Sequence, residues 1–124
     1  MTAAELLAAY AAGERNFSRV DLHGVNLHGA NLSGANLSEA NITHAILSYA
    51  SLSGANFSYA NLDGINLDGA NLREANLIGV SMIRADLNKA NLDYAQLAGA
   101  ICYHSNFNKA SLIGVAAVGT DFSD

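Results

Sequence analysis

The sequence predicts an all-β solenoid, in which short extended segments stack as successive coils along one axis. From Arg15 onward, 110 residues divide into 22 units of five residues without a single insertion. The central residue of the unit is Leu or Phe in 18 of the 22 units, and Ala stands two places before it in 14. An α-helix turns about 100° per residue and would spread these leucines over every face. Extended backbone that bends once in each unit keeps them on one side.

The five positions of a unit have different predicted environments. The central residue and the one two places before it (the small position) point to the same side of extended backbone, so both are expected inside. The residue before the centre (the Asn position) and the one after it (the outer position, as at Ser48) are expected in solvent. The fifth residue (the corner position) is Gly in 10 of 22 units, and Gly tolerates the backbone of a tight corner. The predicted inner ladder includes Leu22, Leu27, Leu32, Leu37, Leu47, Leu52, Leu62, Leu67, Leu72, Leu87 and Leu92.

The tandem pattern A(N/D)LxG, as in residues 30–34 and 60–64, resembles the pentapeptide-repeat family over residues 15–124. The opening of the chain is also similar to small cyanobacterial members. The period alone leaves the number of sides per coil open. The resemblance implies a right-handed quadrilateral β-helix with four units in each coil. At the usual strand spacing, its length would be about 5.5 coils, or about 26 Å.

Residues 1–14 are expected to form a short capping α-helix in front of the β-helix at 15–124, the two making one domain. The helix is expected over 2–13. Its expected residues are the capping-box pair Thr2 and Glu5, the apolar stripe Leu6, Leu7 and Tyr10, and the terminating Gly13. The helix would cover the first coil, whose open edge would otherwise invite association.

Charge and cysteine content exclude several classes of protein. Six Lys and Arg against eleven Asp and Glu give a net charge of −5, which argues against binding to nucleic acid or to an anionic membrane. The one cysteine, Cys102, cannot form an internal disulfide and stands at a central position. Because the opening residues lack a basic segment and a long apolar run, the expected location is the cytoplasm.

With four sides per coil, residues 20 apart stack directly, and two adjacent faces become apolar toward the C-terminal end. The candidate interface consists of Ile78, Ile83, Ile101, Tyr103, Val118 and Phe122. Contiguous apolar surface often marks a partner site or a self-association site. Isolated surface isoleucines, which are common, are the alternative.

No catalytic, cofactor or metal site is predicted. His23 and His44 fall on one face without further ligands at a suitable spacing, so solvated histidines are the better interpretation. We expect a non-enzymatic scaffold that presents a rigid surface to a protein partner. The resemblance also implies an alternative, because some family members imitate B-DNA and inhibit or protect DNA gyrase. Those members are typically dimers joined at their C-terminal ends, which makes a homodimer through Phe122 a further expectation.

Overall fold

The computed structural model describes residues 1–123. One helix, α1, spans Ala3–Ala11. No helix among the described residues is long and apolar enough to cross a membrane. From residue 16 onward, parallel bridges join residues 20 apart, from Asn16 with Asn36 to Ile101 with Asp121. Each bridge involves a single residue at the Asn position, so the extended segments of the described chain are one bridged residue long. Four bridges fall in every 20 residues, which gives each coil four sides.

The interior of the solenoid is a continuous column of apolar side chains. Apart from Leu6, every buried hydrophobic residue stands at a central or a small position. The leucines that the sequence places inside are 0–2% exposed, namely Leu22, Leu27, Leu32, Leu37, Leu47, Leu52, Leu62, Leu67, Leu72, Leu87 and Leu92. Since coils repeat every 20 residues, each of these side chains packs on equivalent ones above and below it. The column therefore leaves the outer surface as the part of the molecule available for contacts.

Three backbone hydrogen bonds per unit hold adjacent coils together. The N–H of Leu67, at a central position, donates to the carbonyl of Asp86 in the next coil at 2.7 Å. The N–H of Gly69, at the corner, donates to Asn88 at 2.8 Å, and the N–H of Asp86 donates back to Ile65 at 2.9 Å. The same pattern recurs around the rod, so a coil offers one set of donors and acceptors on each of its two edges.

Every described corner residue lies in the left-handed region of backbone space. The ten corner glycines have φ between 66° and 71°, and the eleven other corner residues have φ between 57° and 62°. A side chain in this region costs about 1–2 kcal/mol, which explains the preference for Gly at this position.

The residues at the Asn position terminate each side of the coil. All fifteen Asn and Asp residues at this position accept a hydrogen bond from the N–H two residues later, as Asn61 does from Asp63 at 3.0 Å. Such Asx turns hold the chain in position for the corner. The Asn pattern is therefore a repeated turn motif.

The start of α1 carries a complete capping box. The N–H of Glu5 donates to Thr2 Oγ1 at 3.1 Å, and the N–H of Thr2 donates to Glu5 Oε1 at 2.9 Å. Hydrogen bonds that the backbone and the side chain of Thr2 donate to the Glu5 carboxyl lower its pKa. Leu6 is fully buried against the first coil, and Tyr10 is half-buried beside it.

Two expectations about exposure are wrong. Leu7 is 39% exposed and stands outside the packed stripe, because residues next to each other in a helix point about 100° apart and Leu6 takes the contact. The packed residues beside Leu6 are Ala3, Ala9 and Tyr10. Ser48, expected in solvent, is buried because His28 Nδ1 lies 2.7 Å from its hydroxyl and the ring covers it.

Candidate interaction surface

Two of the predicted interface residues, Ile78 and Val118, belong to one column of outer residues. The N–H of Gly79 donates to Ala98 at 2.9 Å, and that of Gly99 donates to Val118 at 3.0 Å. These bonds stack Ile78, Ala98 and Val118 on successive coils, one strand spacing of about 4.8 Å apart. In the earlier coils the outer residues of this column are polar. The column therefore changes from polar to apolar between two successive coils, at Ile78.

The next face around the rod carries the second group. The N–H of Arg84 donates to the carbonyl of Tyr103 at 2.9 Å, which places the residue before it, Ile83, directly next to Tyr103. Ile101 lies two residues before Tyr103 and is bridged to Ser81 on one side and Asp121 on the other. The corner glycines 79, 99 and 119 separate this face from the first column. The structure thus brings five of the six predicted residues onto two adjoining faces.

Exposure differs strongly within this surface, which we call the side patch (Ile78, Ile83, Ile101, Tyr103 and Val118). Val118 is 86% exposed and Ile101 is 38% exposed, whereas the other three are half-buried. Val118 and Ile101 are therefore the members most able to contact another molecule.

The side patch has a polar rim at Asp121. A hydrogen bond with Asp121, reinforced by its negative charge, raises the pKa of the Tyr103 hydroxyl. Hydrogen bonds from Ser123 lower the pKa of the Asp121 carboxyl, with a smaller contribution from Tyr103. Asp121 is therefore a charged acceptor at neutral pH, next to the Tyr103 hydroxyl.

Phe122 does not belong with the other five residues. It is 46% exposed, but it stands at a central position and faces the end of the rod, where no coil among the described residues covers it. Its ring packs edge-on against Phe107, with ring centroids 5.5 Å apart. Grouping Phe122 with the side patch is therefore wrong: the side and the end are two different surfaces.

Sequence reasoning missed several exposed apolar residues. Ile113 is 62% exposed at an outer position on a third face, and Leu112 is 41% exposed at a central position of the last coil. The signal for Ile113 was available, because its column of residues 20 apart starts with Ser33 and Ser53 and ends in an isoleucine. Leu112 is exposed only because it lies at the end, which the repeat pattern itself does not indicate.

Aromatic residues at the corners lie over glycines of the next coil. A Cβ added to Gly79 would come 2.5 Å from the ring atoms of Tyr59, which is 66% exposed and borders the side patch. The same arrangement recurs with His44 over Gly64, Tyr49 over Gly69 and Tyr94 over Gly114. A sequence signal exists, since each of these four corner residues is followed 20 residues later by Gly. The absent glycine side chain leaves room for the ring to lie against the corner.

Charges on the rod are mixed in sign, and some of them form ion pairs. Arg19 Nε lies 2.7 Å from Glu39 Oε2, and Arg73 lies 3.5 Å from Glu74 and 4.0 Å from Asp93. The guanidinium of Arg73 also stands over the ring of Tyr94, 4.7 Å from its centre. Beyond the first 14 residues, which hold two acids, nine acids face six bases. Over about 26 Å, a B-DNA duplex carries about 15 negative charges, so the rod falls far short of that density.

The residues considered for chemistry occupy unremarkable surroundings. His23 Nδ1 lies 2.7 Å from the hydroxyl of Thr43, and its ring meets that of His44 at 5.9 Å. Within residues 1–123 there is no pocket and no group of three or more possible metal ligands. Cys102 is buried, and that burial, with the nearby Asp121, raises the pKa of its thiol to about 11.

The geometry defines a four-sided solenoid of five-residue units with a filled interior. The chain belongs to the pentapeptide-repeat family: residues 16–124 match its pattern in overlapping segments with eight copies, which confirms the resemblance seen in the sequence. A comparison with curated proteins gave no match.

Solved structures of cyanobacterial proteins are similar over nearly the whole chain. A pentapeptide repeat protein of Nostoc PCC 7120, alr5209, is 34% identical with a TM-score of 0.64, covering 94% of this chain and 95% of its own. Rfr23 of Cyanothece 51142 is 27% identical with a TM-score of 0.58, covering 97% and 99%. This likeness implies the right-handed β-helix of the family. QnrB1, a plasmid-mediated fluoroquinolone resistance protein, is 20% identical with a TM-score of 0.40, too distant for its role to be transferred.

Proposed function

We propose that this protein is a non-enzymatic interaction scaffold. In this proposal, residues 1–14 form a cap and residues 15–124 form a rigid right-handed quadrilateral rod of about 5.5 coils at the usual strand spacing. The rod presents its side patch to a protein partner. A cytoplasmic location suits the proposal, since a lone thiol such as Cys102 stays reduced there.

The side patch is the observation that carries this proposal. Two adjoining faces change from polar to apolar residues in the same coils, and Val118 and Ile101 are exposed there. Gly99 and Gly119, in the corner between them, carry no side chain and are not covered by a neighbouring ring, so a partner can approach the backbone closely there. Contiguous apolar surface with a charged rim, here Asp121, is typical of protein contact sites.

A matched pair of variants tests the proposal. Ile101 and Ile46 both occupy the Asn position and are 38% and 37% exposed, but they lie on different faces. Ile101→Ser combined with Val118→Ser should abolish capture of the partner from extracts of the cells that make the protein, while Ile46→Ser should retain it. Thermal unfolding of each variant shows that the fold is intact. Equal capture by all variants would refute a role for the side patch.

A homodimer through the C-terminal end is a second proposal about assembly, supported by the exposed ring of Phe122, which packs on the half-buried ring of Phe107. Phe122→Asp should convert a dimer into a monomer in light scattering. Tyr59→Asp, which alters an exposed ring on the side, should leave the mass unchanged. A monomeric parent protein at every concentration would refute the dimer.

The alternative function is imitation of DNA to inhibit or protect gyrase, and no feature of the rod favours it. The ion pairs of Arg19 with Glu39 and of Arg73 with Asp93 neutralise the field that such imitation requires. A supercoiling assay decides between the two functions. Inhibition of gyrase at micromolar protein would replace the scaffold proposal with this one.

A further inference from the structure

The two ends of the rod differ in how they are closed. In the first coil the central residues Phe17 and Leu22 are 2% and 1% exposed, because α1 covers them. In the last coil the central residues Leu112 and Phe122 are 41% and 46% exposed. Sequence type does not explain the contrast, since all four are large apolar residues at central positions. The difference is the presence of α1 at one end.

The segment around α1 also occupies backbone groups that a preceding coil would use. Inside the rod, carbonyls at the Asn and outer positions accept N–H groups from the coil before. In the first coil, the carbonyl of Asp21 instead accepts from the N-terminal ammonium group at 3.4 Å, and that of Ser33 accepts from the hydroxyl of Tyr10 at 2.8 Å. The N–H of Asn16 donates to Glu14 Oε1 at 2.9 Å.

The opposite edge offers the complementary groups. One coil earlier, the N–H groups of Leu92 and Tyr94 donate to the carbonyls of Ser111 and Ile113 at 2.8 and 2.7 Å. The equivalent N–H groups of Leu112 and Gly114 have no backbone partner among residues 1–123. An unpaired edge of this kind is a template for another chain. Because all coils share one bond pattern, its donors match the acceptors of the first coil in type and spacing.

We propose that the N-terminal edge of the first coil, beneath α1, is a docking surface for the C-terminal coil of a second copy of this chain, and that α1 blocks it. Such a contact joins unlike surfaces and does not close, so it would generate an open head-to-tail filament. The α1 helix is therefore a stop against polymerisation. The proposal does not rest on the side patch, although Val118 belongs both to the side patch and to the last coil.

Opening the cap in the full-length chain tests this proposal. Leu6→Asp places a carboxylate at a fully buried contact, whereas Leu7→Asp changes a neighbour on the same helix that is 39% exposed. Leu6→Asp should give filaments whose weight-average mass exceeds the 12.9 kDa monomer by about tenfold or more, with a reflection near 4.8 Å along the fibre axis. Leu7→Asp should keep the mass of the parent protein. A Leu6→Asp protein that is folded by circular dichroism and keeps the parent mass would overturn the proposal.

A terminator experiment separates head-to-tail growth from non-specific aggregation. In its monomeric form the parent protein has an open C-terminal edge and a covered N-terminal edge, so it should end a filament. One parent molecule to about ten Leu6→Asp molecules should limit filaments to about ten subunits. The parent protein carrying Leu112→Asp should not shorten them, because its C-terminal edge is blocked. If both proteins, or neither, shorten the filaments, the proposal is wrong. Should Leu6→Asp fail to fold, Leu6→Ala opens the same contact with an apolar residue and is judged by the same outcomes.

Discussion

Replacing Gly79 by alanine measures how much the ring of Tyr59 contributes by packing on the corner below it. Gly54 is the matched control, because its φ of 67° nearly equals the 66° of Gly79 while nothing lies within 4 Å of an added Cβ. Both variants carry the left-handed strain of about 1–2 kcal/mol, partly offset by about 0.4–1 kcal/mol from the stiffer unfolded chain. At Gly79 the new Cβ would also lie 2.5 Å from the Tyr59 ring and must displace it.

The displaced ring sets the expected difference between the two variants. If the ring loses contact over roughly 40 Å², Gly79→Ala should lower the free energy of unfolding by about 1 kcal/mol more than Gly54→Ala. Urea denaturation of both variants measures this, and repeating the pair in a Tyr59→Ala background should remove the difference. Equal losses in the parent background would refute the packing of ring on glycine. A difference that persists without the ring would refute it as well.

Three further predictions concern the interior, the turns and the cap. Leu67→Ala should lower the free energy of unfolding by about 2–5 kcal/mol, and Ser58→Ala at an outer position by less than about 0.5, so similar losses in urea denaturation would contradict the inward assignment. Asp63→Ala removes the oxygen that accepts hydrogen bonds from Ser81 and Ile83, at 2.6 and 2.9 Å, and should lower the free energy of unfolding by about 1–3 kcal/mol. Asp63→Asn keeps an acceptor oxygen and should recover much of this loss, whereas unchanged stability in Asp63→Ala would contradict the role of the side chain. Because the folded pKa of Glu5 lies below its ordinary 4.5, its stabilising contribution is present above that pH and is lost as the pH falls through the folded value. Thermal unfolding from pH 7 downward should show less acid destabilisation in Glu5→Gln than in the parent, and identical profiles would contradict the capping role.

Most of the fold could be predicted because the sequence repeats. Every unit has the same pattern of side chains, so one inward assignment, such as that of Leu67, applies to every coil between the two ends. The capping box at Thr2 and Glu5 is similarly local, because it depends only on a spacing of three residues. Exposure at the ends could not be derived this way. Leu112 has the same sequence environment as a buried leucine and differs only in lacking a coil above it.

Contacts between coils were the other limit of sequence reasoning. Ser81 and Ser111 stand where Asn usually closes the turn, and Asp63 and Asp93 of the preceding coil accept the hydrogen bonds of those units instead. The burial of Ser48 by His28 has the same origin. All involve residues 18 or 20 apart, so they become visible only when coils are set side by side.

Alkylation of the single native thiol tests most directly the claim that central residues lie inside while their neighbours meet solvent. Cys102 is 1% exposed and its pKa is raised to about 11, so iodoacetamide at pH 8 should label it only after unfolding in urea. A Cys102→Ala, Tyr103→Cys protein, which moves the thiol one residue along the chain, should be labelled in the native state. Native labelling of Cys102 at the rate of the unfolded chain would contradict the account.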